Sequence, residues 1–285
     1  MRRRSRRSLP SLRALHPLRA PRPRKRFGQH FLEAGWVAKV IRAIDPKPDE
    51  TFIEIGPGRG ALTRPLAARA KAVVAYEIDR ELAAGLEAAR PPNVSVVTGD
   101  FLDAALPTRD SRCSTLDSVR VAGNLPYNVG SPMLFKLVDW YRGGLPIVDA
   151  TLMLQREVAD RLSAAPGTRE YGVLTVLVGR YASVERLLIL PPGAFRPAPN
   201  VQSAVVRLRF RAPDARADDE DLLERIVKAA FTRRRKTIAN ALAAFSSARL
   251  SAADALSGAG IDPVRRPETL TLSDWVTLAN VYASS

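Results

Sequence analysis

The sequence predicts an α/β fold: right-handed βαβ units forming a mainly parallel sheet, with a small α-helical domain at the carboxyl end. Three observations carry this. Apolar strand-type runs alternate with helical patterns from Thr51 to Leu154. Residues suited to ligands recur just past the ends of those runs, at Gly56, Glu77, Asp100 and Asn124. Beyond the charged linker Asp214–Asp221 the pattern is helical to the end. Strand–helix alternation at this spacing specifies parallel pairing, and the carboxyl edge is where open α/β sheets bind ligands.

Taken in order, a helical pattern through Val37, Val40, Ile41 and Ile44 stops at Pro46 and Pro48, because proline removes a donor and clashes with the preceding turn. The strand Thr51–Ile55 runs into Gly56-Pro57-Gly58-Arg59-Gly60, and a helix with Ala61, Leu62, Leu66 and Ala67 follows. A second strand, Ala72–Tyr76, ends in Glu77-Ile78-Asp79; a helix covers about Arg80–Ala89; a third strand, Val94–Val97, ends in Gly99-Asp100-Phe101. The run Val119–Ala122 leads into Gly123-Asn124-Leu125-Pro126-Tyr127-Asn128, then a helix over Pro132–Tyr141, a strand over Ala150–Leu154 and a helix over Glu157–Ala164. Val173–Val178, Glu185–Leu190 and Ala204–Phe210 are further apolar strand or helix segments. The expected division is 1–23 as a basic disordered extension, 24–213 as the sheet domain and 218–285 as the helical domain. No internal repeat is present.

A chain of 285 residues that is 46% hydrophobic can bury a full core. No apolar run approaches the ~20 residues a membrane-spanning helix needs, so no membrane partner is expected. The lone Cys113 allows no internal disulfide and fits a reducing compartment. It lies in a polar stretch far from either histidine, which argues against a catalytic thiol. The net charge of +15 is concentrated: eleven basic residues precede Phe27, whereas the first acidic residue is Glu33. Such an Arg-, Pro- and Ser-rich arm suits salt-sensitive phosphate binding. An organelle transit peptide or a solvated extension would share that composition, so the compartment is cytoplasmic, or mitochondrial or plastid if the arm is a targeting signal.

Glycines at 56, 58 and 60 let the backbone pass close under a ligand. Glu77 falls where a carboxylate accepts from both ribose hydroxyls. A dinucleotide uses a similar layout, but its third glycine comes one place later than Gly60. Asp100 suits the adenine amine of S-adenosylmethionine, and Glu54, just before the loop, would meet the cationic end of that donor or simply be a solvated strand-end charge. At Asn124–Tyr127 an amide oxygen and a backbone carbonyl of Leu125 or Pro126 would accept the two hydrogens of an exocyclic amine. Pro126 fixes the turn, and Tyr127 stacks on the base. This localises the amine lone pair for attack on a methyl group, an effect of orientation first and electrostatics second. An Asn-Pro turn with a core tyrosine is the structural alternative. Phe195 offers a second aromatic for the other face of the base, unless it is a buried loop anchor. Arg233, Arg234, Arg235 and Lys236 form a basic run opening a helix, suited to RNA phosphates or to a solvated helix end.

Together RKRFGQHFL, EIGPGRGALT, EID, GDFL, NLPYNVGSP, FRPAPNVQS and FTRRRKTIANAL resemble the ribosomal RNA adenine N6,N6-dimethyltransferase family over about residues 24–245. The resemblance implies a Rossmann-like S-adenosylmethionine-dependent methyltransferase sheet, with that donor as co-substrate; no metal is expected, and the enzyme is expected to be a monomer. It implies two adjacent adenosines in the 3′-terminal hairpin loop of small-subunit rRNA as acceptors. It also implies donor contacts from His30, Leu32, Gly56, Gly58, Glu77, Asp100, Phe101 and Asn124, with Asn124 bridging donor and target. Position 30 is often asparagine in the family. A large-subunit adenine methyltransferase of the macrolide-resistance type shares the donor site and the Asn-Pro-Tyr turn. An assembly or transcription factor on the same fold is the non-enzymatic alternative.

Overall fold

The computed structural model describes residues 29–107, 118–245 and 250–284. The basic extension, Cys113 and the start of the leading segment lie outside the described residues. A two-residue strand β1 (Phe31–Leu32) leads into α1 (Ala34–Ile44), which buries Val40, Ile41 and Ile44 on one face. Asp45 closes α1 in the left-handed conformation (φ 52°), its N–H donating to Ile41 O. Then come β2 (Thr51–Ile55), α2 (Thr63–Ala67), β3 (Ala72–Glu77), α3 (Arg80–Ala88), β4 (Val94–Thr98) and β5 (Val119–Asn124). The chain continues through α4 (Gly130–Arg142), β6 (Ile147–Gln155), α5 (Arg156–Leu162), α6 (Val173–Gly179), β7 (Ala182–Leu190), β8 (Phe195–Arg196) and β9 (Ser203–Phe210). Four helices complete it: α7 (Glu220–Thr232), α8 (Ile238–Leu242), α9 (Ala252–Gly258) and α10 (Leu272–Ala283).

Seven strands form one sheet in the order β4-β3-β2-β5-β6-β9-β7, the first five parallel and β9 antiparallel to both neighbours. The sheet is thus a Rossmann-like, mainly parallel sheet with an antiparallel edge. β2 is buried at every position, as a strand covered by helices on both faces must be. Alternate residues feed two cores: Ile53, Ile55, Val74 and Val121 pack with α4 on one face, and Phe52, Val73, Ala75 and Ala122 pack with α1 and α2 on the other. Strand order reverses between β2 and β5, which opens a crevice at their carboxyl ends. At the opposite edge Arg120 donates to both oxygens of Asp149 at 2.9 Å, to Glu50 at 2.8 Å and to the carbonyls of Ile44 and Asp45. That network fastens the end of α1 beneath β5.

A third core joins α7–α10. Its helices start on capping side chains: Asp219 for α7, and a reciprocal Thr271–Asp274 box for α10. This core also takes Tyr171, Val176 and Leu177 from before the linker. The Tyr171 hydroxyl donates to Leu270 O at 2.7 Å, and Arg180 pairs with Glu220 at 2.5 Å.

Candidate active site

The crevice between β2 and β5 holds a cavity of about 320 Å³, within the range of small-molecule sites. Gly56 and Gly58 wall it just past β2, at φ 69° and 56°. A Cβ on Gly58 would stand 3.1 Å from the Phe31 ring, so the loop and the leading segment pack tightly against each other here. Glu77, at the end of β3, is buried and accepts from Gly58 N at 2.8 Å and from Asp79 N at 2.9 Å. Its carboxylate therefore fixes the glycine loop while lining the cavity; burial pushes its pKa upward against the bonds from those amides. Asp100 caps the short turn Phe101–Asp103 through a 2.9 Å bond from Leu102 N to Oδ1. Phe101 is buried beneath it, edge-on to Tyr76 and Trp140.

Asn124 and the turn after it form the opposite wall. Gly123 pairs with Ile55 across β5 and β2, and a Cβ there would meet Ile55 O at 2.6 Å. Only glycine lets the two strand ends approach this closely. The Asn124 Nδ2 donates to His30 O at 2.7 Å, which fixes the amide flip and leaves Oδ1 as an acceptor. Pro126 O accepts from Val129 N at 3.1 Å, closing the turn. Tyr127 shares a 2.5 Å hydrogen bond with buried Ser203 at the start of β9, and its ring stacks on His30. Burial holds the Tyr127 phenol above its ordinary range, so it is neutral and serves as a surface, not a base.

A donor with an adenosyl group fits this wall. The loop is open exactly where side chains are absent, a carboxylate lies at the end of β3, and the next strand end brings Asp100 over an aromatic floor. A family model described as ribosomal RNA adenine dimethylase matches residues 21–284. The chain belongs to that family. The ribosomal RNA small subunit methyltransferase A of Acinetobacter baylyi is 43% identical over 262 residues, 90% of this chain and 91% of the relative. The protein of the same name from Chromobacterium violaceum is 44% identical over 90% of this chain and 95% of its own length. Among solved structures, a dimethyladenosine transferase from Plasmodium falciparum superposes with a TM-score of 0.70 at 24% identity, over 87% of this chain and 96% of its own. The 23S rRNA methyltransferase ErmE gives 0.63 at 30% identity, over 89% and 99%. As a dimethylase, the protein is an S-adenosylmethionine-dependent methyltransferase of ribosomal RNA adenine.

Of the dimethylase residues expected from sequence, His30, Gly56, Gly58, Glu77, Asp100, Phe101, Asn124, Pro126 and Tyr127 line the one cavity. Three do not. Leu32 turns into the core against α1 and β8, because neighbours on a strand point oppositely and Phe31 takes the cavity side. Phe195 pairs with Leu32 and is fully buried, an anchor and not a stacking ring. Glu54 faces away from the cavity beneath α2, 1% exposed, with Oε2 unpartnered among the described residues; burial pushes its pKa up to about 8. It does not line the cavity. The basic run also differs from expectation. It follows the carboxyl end of α7 and precedes the five-residue α8, so its cations act as side chains and not through a helix start. Arg233, Arg235 and Lys236 are exposed, while Arg234 donates to Thr168 O and faces Glu268. Sequence reading passed over Ile78 and Ser203. Ile78 is an exposed apolar residue at the cavity mouth, signalled only by its place between Glu77 and Asp79; Ser203 ends the FRPAPNVQS motif, which by itself does not point to Tyr127.

Proposed function

We infer that the protein transfers methyl groups to N6 of two adjacent adenosines in the 3′-terminal hairpin loop of small-subunit rRNA, giving N6,N6-dimethyladenosines during small-subunit biogenesis. The observation that carries this is the Asn124 amide. With Nδ2 bound to His30 O, Oδ1 is presented as an acceptor beside the glycine loop, where an adenine amine would donate. Leu125 O is the second acceptor, since Pro126 O is engaged by Val129 N. With both N6 hydrogens so held, the nitrogen lone pair is turned out of the ring plane, and Tyr127 supports the base. S-adenosylmethionine, when bound, supplies an electrophilic sulfonium methyl. Gly56 and Gly58 admit it, Glu77 accepts from its ribose, Asp100 takes its adenine amine, and Phe101 and Ile78 flank the ring.

The proton lost from N6 passes to water, consistent with a site whose only imidazole among the described residues is engaged at Nδ1 by Pro197 O. Residues 24–213 hold the chemistry and 218–285 contact rRNA, with Arg233, Arg235 and Lys236 on phosphates. The enzyme acts as a cytoplasmic monomer on an immature small subunit. The test is incubation with labelled donor and unmethylated small or large subunits, then mapping of the modified base, with Asn124→Ala alongside. Label is expected in the small-subunit hairpin, and Asn124→Ala is expected to lose transfer by about 10²-fold while still binding donor. Label confined to a large-subunit adenosine would reverse the choice of substrate.

A further inference from the structure

The ring beside Tyr127 is not Phe195 but His30. The two rings stack with centroids 5.3 Å apart at 22°. His30 is held from two further directions: Nδ1 donates to Pro197 O at 2.7 Å, and the main-chain carbonyl accepts from Asn124 Nδ2 at 2.7 Å. Tyr127 is tied at its far end to buried Ser203, 2.5 Å away. Four separate segments thus converge on one pair of rings: the leading segment, the turn after β5, the loop after β8 and the start of β9. A tyrosine on a half-exposed turn would otherwise sample several rotamers and would have to be ordered when a base arrives.

We propose that His30 is an acceptor-side positioning residue: its imidazole backs one face of Tyr127, so that the target adenine stacks on the opposite face with N6 delivered to Asn124. The arrangement distinguishes the imidazole from the rest of the residue. The His30 carbonyl sets the Asn124 amide, whereas the ring sets the Tyr127 plane. Because the ring is pinned by Pro197, it is not a placeholder that swings out when the base enters. The loop after β8 contributes to this arrangement through the Pro197 carbonyl. This inference rests on the adenine methyltransferase reading.

The experiment compares the unaltered protein with His30→Ala, His30→Phe and Ser203→Ala, using unmethylated small subunits and S-adenosylmethionine. It records KM for the subunit, kcat, donor Kd and the melting temperature of each protein. Freeing one side chain that binding must then re-order costs about three- to tenfold in affinity. His30→Ala is therefore expected to raise KM for the subunit by that factor, and by more than it raises donor Kd. His30→Phe keeps a ring behind Tyr127 and should recover most of the loss. Ser203→Ala releases Tyr127 from its other end and should raise KM in the same direction, an outcome that tests the clasp even if His30→Ala fails to fold. A His30→Ala protein with unchanged or lowered KM, or one that loses donor affinity instead, overturns the proposal. So does a His30→Phe protein no better than His30→Ala. Absence of transfer by the unaltered protein overturns the adenine reading and this proposal together, whereas normal transfer with an unmoved KM overturns the proposal alone.

Discussion

Glu54 and Glu77 sit under the same glycine loop and do different work. Glu77 answers two backbone amides and faces the ligand; Glu54 lies on the other face of β2, buried beside Thr63 and near the Glu77 charge. Raised to about 8 from 4.5, Glu54 is mostly protonated at neutral pH. A carboxyl whose folded pKa is raised contributes stability that is complete below its unfolded pKa and is lost as pH rises through the folded one. The window here is pH 4.5 to about 8, and the loss by pH 7 is on the order of 3 kcal/mol. Glu54→Gln should flatten the fall in melting temperature across that window. Glu77, also raised by burial, remains and keeps some slope. A melting profile as steep in the variant as in the unaltered protein would refute the assignment of that slope to Glu54. Local spacing revealed both carboxylates, but not which way each points. The face of a strand is set by the register of Phe52 and Ile53 against their respective cores, which one strand read alone leaves ambiguous. The same ambiguity exchanged Leu32 for Phe31. Phe195 failed for a related reason, since an aromatic in a proline-rich loop reads alike whether it seals a core or covers a ligand.

At the scale of elements, the parallel half of the sheet was legible because each βαβ unit carries its own punctuation: an apolar run, a ligand-type residue, then a helix. The antiparallel edge was not. Val173–Gly179 is α6 while Ala182–Leu190 is β7, two short apolar segments whose lengths and composition suit either state, decided here by pairing of β7 with β9. Gly123 shows how an element fixes the chemistry. β5 can lie against β2 with Asn124 at its tip because position 123 has no Cβ; one would overlap Ile55 O at 2.6 Å. The backbone atom cannot rotate away, so Gly123→Ala must spread the two strands. Overpacking of this kind costs about 1–3 kcal/mol, and displacing a reacting group by ~1 Å costs up to 10²-fold in rate. The variant is expected to melt several degrees lower and to lose kcat more than donor affinity. Unchanged melting temperature together with unchanged kcat would show that the strands absorb a methyl group without moving Asn124.

Across the whole molecule, positive charge is uneven, and the described body places three of its unengaged cations in one turn of the helical layer. Arg233, Arg235 and Lys236 are exposed around a groove completed by Thr232 and Asn240. Arg234, between them, is turned inward to Thr168 O and Glu268 and thereby fastens the helical layer to the segment before α6. One run of like residues is thus divided between a binding role and a structural one, a division that charge counting cannot make. Cations on phosphates release counterions, so each contact contributes about 0.7–0.9 to the slope of log affinity against log salt. Removing two, in Arg233→Ala with Arg235→Ala, should weaken rRNA binding and reduce that slope by about 1.4–1.8, with donor affinity unmoved. Arg234→Ala should instead lower the melting temperature while altering the slope little. Titrating rRNA binding against potassium chloride for the three proteins separates the roles. A slope equal to that of the unaltered protein in the double variant would place the phosphate contacts on another surface, and an unaltered melting temperature in Arg234→Ala would deny that residue its structural part.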